Sequence, residues 1–151
     1  MATPIKQLTP YTCVLANIES LATDLGKPIG QLEIIEKFPH ECNKGNTIEG
    51  AVDLIHLKTL LVGLGLASDL VQGRGRGFLL AHQASLQDGM FLNSTLSEDG
   101  KTPLYHFWRI HEFLNDGVSV VESLQHVPYA YMVFPWDYLE HRGCIAHVCR
   151  P

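Results

Sequence analysis

The chain has 151 residues, 46% of them apolar and only 18% charged. That suits one ordered domain spanning residues 1–151, with its own core, and excludes a low-complexity polypeptide. A formal charge of -5 leaves no basic excess to neutralise phosphates, so neither nucleic acid nor an anionic membrane surface is an expected partner. The small exception is Arg74 with Arg76 in GRGRG.

The N-terminal MATPIKQLTP lacks a charged leader followed by an apolar run, so no Sec-type signal is predicted. The most apolar stretch, Leu54 to Leu70, is interrupted by His56, Lys58 and Asp69 and falls short of a membrane span. A cytoplasmic location follows, unless export uses another route, as for an effector. Four cysteines, Cys13, Cys42, Cys144 and Cys149, are too few and too irregularly spaced for a secreted disulfide framework and are expected to be thiols.

Residues 1–12 read as an irregular lead-in, with Pro4 and Pro10 blocking regular structure. Thr12 is a predicted N-cap for a helix from Cys13 to about Leu25, closed by Gly26 and Pro28; Val14, Ile18, Leu21, Ala22 and Leu25 follow helical spacing. A shorter helix is predicted from Gln31 to Lys37. A third is predicted from about Thr47 to Gly63, with Asn46 and Glu49 in the form of a capping box. Gly65 and GRGRG break the pattern and predict a mobile or tightly turning loop, one able to border a substrate cleft.

The second half is richer in aromatic and β-branched residues. Strands are predicted at 90–96, 104–113 and 117–122, the last two joined by Asn115-Asp116-Gly117, a hairpin signal. Another strand is expected near Tyr129 to Phe134, a short helix or turn at Trp136 to His141, and a last strand at Cys144 to Cys149. Helices first and strands afterwards predict an α+β domain with an antiparallel sheet.

Chemistry enters with Cys13. A thiol attacks a carbonyl as the thiolate, and the positive end of a helix favours that charge, so a cysteine in a first helical turn is placed to be a nucleophile. An imidazole must come from another element, because no histidine lies near Cys13 in sequence; it would hold a thiolate–imidazolium pair. His106 is the candidate, inside the strand LYHFWRI, sharing a face with Leu104, Trp108 and Ile110. That mostly apolar face is expected to meet the nucleophile helix. Glu122, at the end of the adjoining strand, is the candidate acceptor to orient the imidazole, with Asp116 and Asn115 as alternatives. Gln7, six residues before Cys13, can join a backbone N–H in an oxyanion hole.

The order Gln7-x5-Cys13, an apolar helix, a distant His106 leading a strand, and an acidic Glu122 sixteen positions later resembles the bacteriocin-processing peptidases. These are papain-like domains that remove double-glycine leaders. The resemblance implies a papain-like fold, with N-terminal helices packed on a C-terminal antiparallel sheet. It also implies Gln7 as oxyanion donor, Cys13 as nucleophile, His106 as general base and Glu122 as orienter. The family usually carries Asp-Cys-Gly at the nucleophile and Asp-Pro at the third member; this chain has Thr12-Cys13-Val14 and Glu122-Ser123. Related folds host stand-alone peptidases, glutamine deamidases used as bacterial effectors, and acyltransferases, and fold alone does not choose among them.

The function expected is therefore hydrolysis of amide bonds in a peptide or protein substrate, as peptidase or glutamine deamidase, without a cofactor. The alternative is a non-catalytic interaction module of the same shape, zinc-stabilised through Cys144, His147 and Cys149 with His40 or Cys42. Those spacings match no established finger, and strand alternation sends Cys144 and His147 to opposite faces. GRGRG is neither a P-loop nor a dinucleotide fingerprint. Trp136 reads as a packing anchor beside a surface Asp137, and His56, His82, His111, His126 and His141 show no partner pattern.

Overall fold

A computed structural model describes residues 2–73, 75–86, 90–96, 103–140 and 144–150. Helix α1 spans Cys13–Asp24, α2 Gln31–Lys37 and α3 Leu54–Gly63. Strand β1 follows at Ala67–Gly73, then helices α4 (Gly75–Ala81) and α5 (Gln83–Leu86). The rest is β2 (Met90–Leu96), β3 (Pro103–Phe113), β4 (Gly117–Val121), β5 (Tyr131–Pro135), α6 (Trp136–Glu140) and β6 (Cys144–Arg150). The strands form one antiparallel sheet in the order β1-β6-β2-β3-β4-β5. No helix of the described residues is long and apolar enough to cross a membrane.

The helix ends follow from their glycines. Beyond α1, Gly26 takes a positive φ of 75°, which lets the Lys27 N–H reach the Ala22 carbonyl and the Gly26 N–H reach that of Thr23. Beyond α3, Gly65 at φ 81° does the same, with Leu66 bonded to Leu61. Both are left-handed terminations that satisfy carbonyls left over by the last turn.

Two expectations about the helical half are corrected. The third helix starts at Leu54, after Asp53, rather than at Thr47. Residues 43–50 make turns instead, and Gly50, at φ 96°, bonds back to the Cys42 carbonyl with its α-carbon against the Thr12 methyl. A helix through Gly50 would forfeit that close approach. The stretch from Gly65 through GRGRG, expected to be a mobile or tightly turning loop, instead carries strand β1, which ends at Gly73, and the start of α4 at Gly75. Strand β1 therefore interrupts the run of helices and pairs with β6 from the far end of the chain.

Apolar residues collect in two clusters. Val14, Leu15, Ile18 and Leu21 of α1 join Ile34, Leu57, Leu60, Leu61 and Phe107. Trp108 and Ile110 of β3 instead join Val118, Val120, Phe134, Leu79, Leu86, Trp136 and Leu139. Because neighbouring strand residues face opposite ways, the sheet is covered on both sides, by α1–α3 on the Phe107 face and by α4–α6 on the Trp108 face. In the β3–β4 hairpin the turn falls at 114–116, where the Leu114 N–H bonds to Gly117 O. Glycine is required at 117 because a β-carbon there would lie 2.2 Å from the Phe134 carbonyl oxygen on β5.

Candidate active site

Strands β3 and β4 pair at Ile110–Val120 and Phe113–Val118. Continued towards the start of β3, that register would pair Phe107 with Ser123. The strands part instead, and the first turn of α1 with residues 6–8 fills the opening. On the β4 side, the Gln7 N–H bonds the Ser123 carbonyl at 2.7 Å and the Lys6 amine donates to the Glu122 carbonyl at 2.8 Å. On the β3 side, the Asn17 amide donates to the Phe107 carbonyl at 3.1 Å, and the Phe107 backbone bonds the Cys13 thiol. That last bond favours the thiolate, which only an N–H does, so the Phe107 N–H is the donor. Both main-chain groups that a strand partner would have taken are thus taken by α1.

Cys13 is the first residue of α1, as the sequence predicts, and is half-buried. Thr12 precedes it but does not cap: its hydroxyl bonds the N–H and carbonyl of Thr9 instead. Burial pushes the thiol above its ordinary value; the N–H groups of Phe107, Val14 and Cys13 pull the other way without overcoming it. Burial also holds the His106 imidazole down to about 4, and its Nε2 has no hydrogen-bond partner among the described residues. A preformed thiolate–imidazolium pair is therefore not the resting state. Neutral thiol and neutral imidazole are.

His106 lies one residue from Phe107 but on the other face, edge-on to Trp108 with ring centroids 4.4 Å apart. This corrects the expectation that α1 covers the His106 face. The helix meets Phe107 and Arg109, and Arg109 Nη1 reaches Ser20 at 2.8 Å as well as Asp24. Nothing near Arg109 in sequence announces Asp24 as the partner of its buried guanidinium. No hydrogen bond joins Cys13 to His106 among the described residues.

Glu122 is 2% exposed and directly follows β4; alternation from Val120 puts it on the His106 face. Its Oε1 accepts from the Leu124 N–H at 3.0 Å, and burial raises its carboxyl while Leu124, Lys6 and His126 oppose the rise. No bond between Glu122 and His106 is among the described ones. Asn115 and Asp116 sit at the opposite end of β3, about 23 Å along the strand from His106, where their carbonyls accept from Trp136. They are not placed to orient it.

Gln7 is 2% exposed; its Oε1 accepts from the Ser123 hydroxyl at 2.8 Å, and its Nε2 donates to Thr9 O at 2.9 Å. Among the described residues that is the one bond Nε2 donates, which leaves one amide hydrogen for an oxyanion. Asn17 and Ser123 are the residues sequence reading passed over, although a polar Asn17 one turn after Cys13 in a largely apolar helix was a signal. The proposed zinc ligands do not assemble among the described residues: Cys42 is a fully buried core thiol, pushed up to about 11 by burial and by Glu41, and His40 packs edge-on to His56. The side chains of Cys144, His147 and Cys149 lie outside the described ones.

No protein-family model matches the chain, and no curated protein matches it by sequence. Solved structures do match its fold. The peptidase domain of Streptococcus ComA, a bifunctional ABC transporter of a quorum-sensing pathway, superposes with TM-score 0.73 at 12% identity, over 100% of this chain and 99% of that one. A double-glycine-motif protease from an AMS/PCAT transporter, solved with a leader peptide, gives 0.64 at 13%, over 100% and 92%. A C39-like peptidase of Bacillus anthracis gives 0.57 at 12%, over 97% and 94%. With helices bearing a first-turn cysteine packed against an antiparallel sheet, the chain has the papain-like α+β fold seen in double-glycine peptidase domains.

Proposed function

We propose that the chain is a cysteine-nucleophile hydrolase of amide bonds, either a peptidase or a protein glutamine deamidase. The observation that carries this reading is the position of Cys13, at the first residue of α1 with its thiol held by the backbone of Phe107, the residue next to His106. The fold shared with cysteine peptidases supports it.

In the reaction, the His106 imidazole turns from Trp108 towards Cys13, and its Nε2 accepts the thiol proton as Cys13 Sγ bonds to the carbonyl carbon of a peptide or a glutamine side chain. The imidazole is neutral at pH 7, the state a general base needs. The oxyanion takes a hydrogen bond from the free amide hydrogen of Gln7 and one from the Cys13 N–H. The C–N bond breaks as the imidazolium gives its proton to the leaving amine, or to ammonia in a deamidase. Water then loses a proton to His106 and hydrolyses the thioester, restoring the thiol. Glu122 is the orienter of His106 in this scheme, after its carboxylate turns from Leu124.

A non-catalytic module of the same fold is the second reading, favoured by the missing Cys13–His106 bond and the raised thiol. Mass spectrometry of candidate peptides and proteins separates the two. Chain cleavage, or the one-dalton gain of deamidation, lost in both Cys13→Ala and His106→Ala, is the expected result. Absence of turnover together with iodoacetamide labelling of Cys13 that ignores His106→Ala would sink the hydrolase.

The oxyanion role has its own test. Gln7→Ala is expected to lower kcat by about 10²–10³-fold with little change in KM, as removal of one oxyanion donor does elsewhere. Ser123→Ala, which frees Gln7 Oε1, is expected to lower kcat less. Unchanged turnover in Gln7→Ala removes Gln7 from the mechanism while leaving Cys13 in it.

A further inference from the structure

We propose that Asn17 is a positioning residue for Cys13: its amide fastens the first turn of α1 to strand β3, and so keeps the thiol at the Phe107 N–H, one residue from His106. The inference deepens the hydrolase reading and rests on it for any consequence in turnover.

Asn17 is 2% exposed, in the middle of a helix whose other inward positions are almost all apolar. Asparagine is a poor residue for a helix interior, and burying its amide is costly unless the amide is bonded. Here Nδ2 donates to the Cys13 carbonyl at 2.7 Å and to the Phe107 carbonyl at 3.1 Å, which uses both of its hydrogens. The first bond is not needed for the helix, since Cys13 O already faces the backbone N–H four residues on. The second replaces the β4 partner that Phe107 O loses where the strands part. One side chain thus joins the nucleophile's own carbonyl to the residue whose N–H holds the nucleophile's sulfur.

Other interactions of α1 cannot do this. Arg109 ties β3 to Ser20 and Asp24 at the far end of the helix, and the apolar contacts of Val14 and Ile18 resist separation but little resist sliding. A shift of about 1 Å in the first turn is enough to spoil a catalytic geometry.

The test is the pH profile of iodoacetamide reaction at Cys13 in the full chain, read by peptide mapping. In the wild type the rate is expected to rise about tenfold per pH unit from pH 6 to 9 without a plateau, as for a thiol raised by burial. Asn17→Ala is expected to react about tenfold more slowly at every pH in that range, because a charge-assisted bond to the thiolate is lost. Asn17→Thr guards against a folding failure: its hydroxyl can still bond the Cys13 carbonyl from within the helix but cannot reach β3. Thr is expected to restore thermal stability towards the wild type yet keep the displaced profile. Folded Ala and Thr variants with the wild-type profile would overturn the proposal, as would a Thr variant that recovers both properties. If the profile moves as expected while no amide substrate is ever turned over, the hydrolase reading fails and the role of Asn17 in placing Cys13 stands.

Discussion

Asp24→Ala is expected to destabilise the fold by about 3–5 kcal/mol, the cost of stranding a buried charge. The stranded group is Arg109, 3% exposed, whose Nη1 is held by Asp24 and Ser20. The same carboxylate accepts from the Thr3 N–H and hydroxyl, and Ser20 in turn bonds the Thr3 carbonyl, so the pair also pins the N-terminal lead-in. Burial pushes the Asp24 carboxyl up, but the bonds from Thr3 and the bond and charge of Arg109 outweigh it and leave the group below its ordinary value. The folded state therefore holds that proton less tightly than the unfolded chain. Its stabilisation is complete above about pH 4 and is lost as pH falls through the depressed folded value. Urea midpoints at pH 7 and pH 3 check both points. The Asp24→Ala penalty should be large at pH 7 and shrink at pH 3, whereas the double variant Asp24→Leu with Arg109→Met should lose far less than Asp24→Ala alone. Equal midpoints for wild type and Asp24→Ala at pH 7 would show the pair to be energetically idle.

That ion pair also shows where sequence reading stops. Helix α1 was legible because a stripe at three- and four-residue spacing, then Gly26 and Pro28, writes both its face and its end. The Asn115-Asp116-Gly117 turn and the strands beside it were legible for the same local reasons. What escaped depends on distant partners. Strand β1 has few β-branched residues and directly follows α3; it becomes a strand by pairing with β6, some eighty residues later in the chain. Arg109 became an inner residue because Asp24 and Ser20, far away in sequence, meet it. For the site, the elements bearing Cys13 and His106 could be read, yet alternation along β3 could not say which face α1 would cover. In the structure α1 meets the Phe107 face where β3 and β4 part, an event no residue in the strand announces. The same parting explains why Gln7, Cys13 and Asn17 gather at one opening.

His106→Phe is expected to abolish turnover while making the protein more stable. The imidazole occupies a setting that suits an apolar ring: edge-on to Trp108, largely buried, with Nε2 unbonded among the described residues. An unsatisfied buried polar atom costs about 1–3 kcal/mol, and a phenyl ring of similar size recovers that cost without opening a cavity. The proton linkage adds a second signature. Burial lowers the folded pKa from 6.5 to about 4, so the unfolded chain binds the proton first and stability declines as pH falls from about 6.5 towards 4. This loss, on the order of 3 kcal/mol in full, should vanish in His106→Phe. Thermal melts between pH 7 and pH 4.5 read it directly, with Asp24 still largely ionised across that range. Turnover should fall by at least about 10³-fold, and by no more when Cys13→Ala is added, since members of one catalytic unit do not contribute additively. A stabilised but inactive variant identifies His106 as a residue retained for chemistry at the expense of the core. A variant destabilised at neutral pH would mean instead that the imidazole is bonded in solution and belongs to the packing.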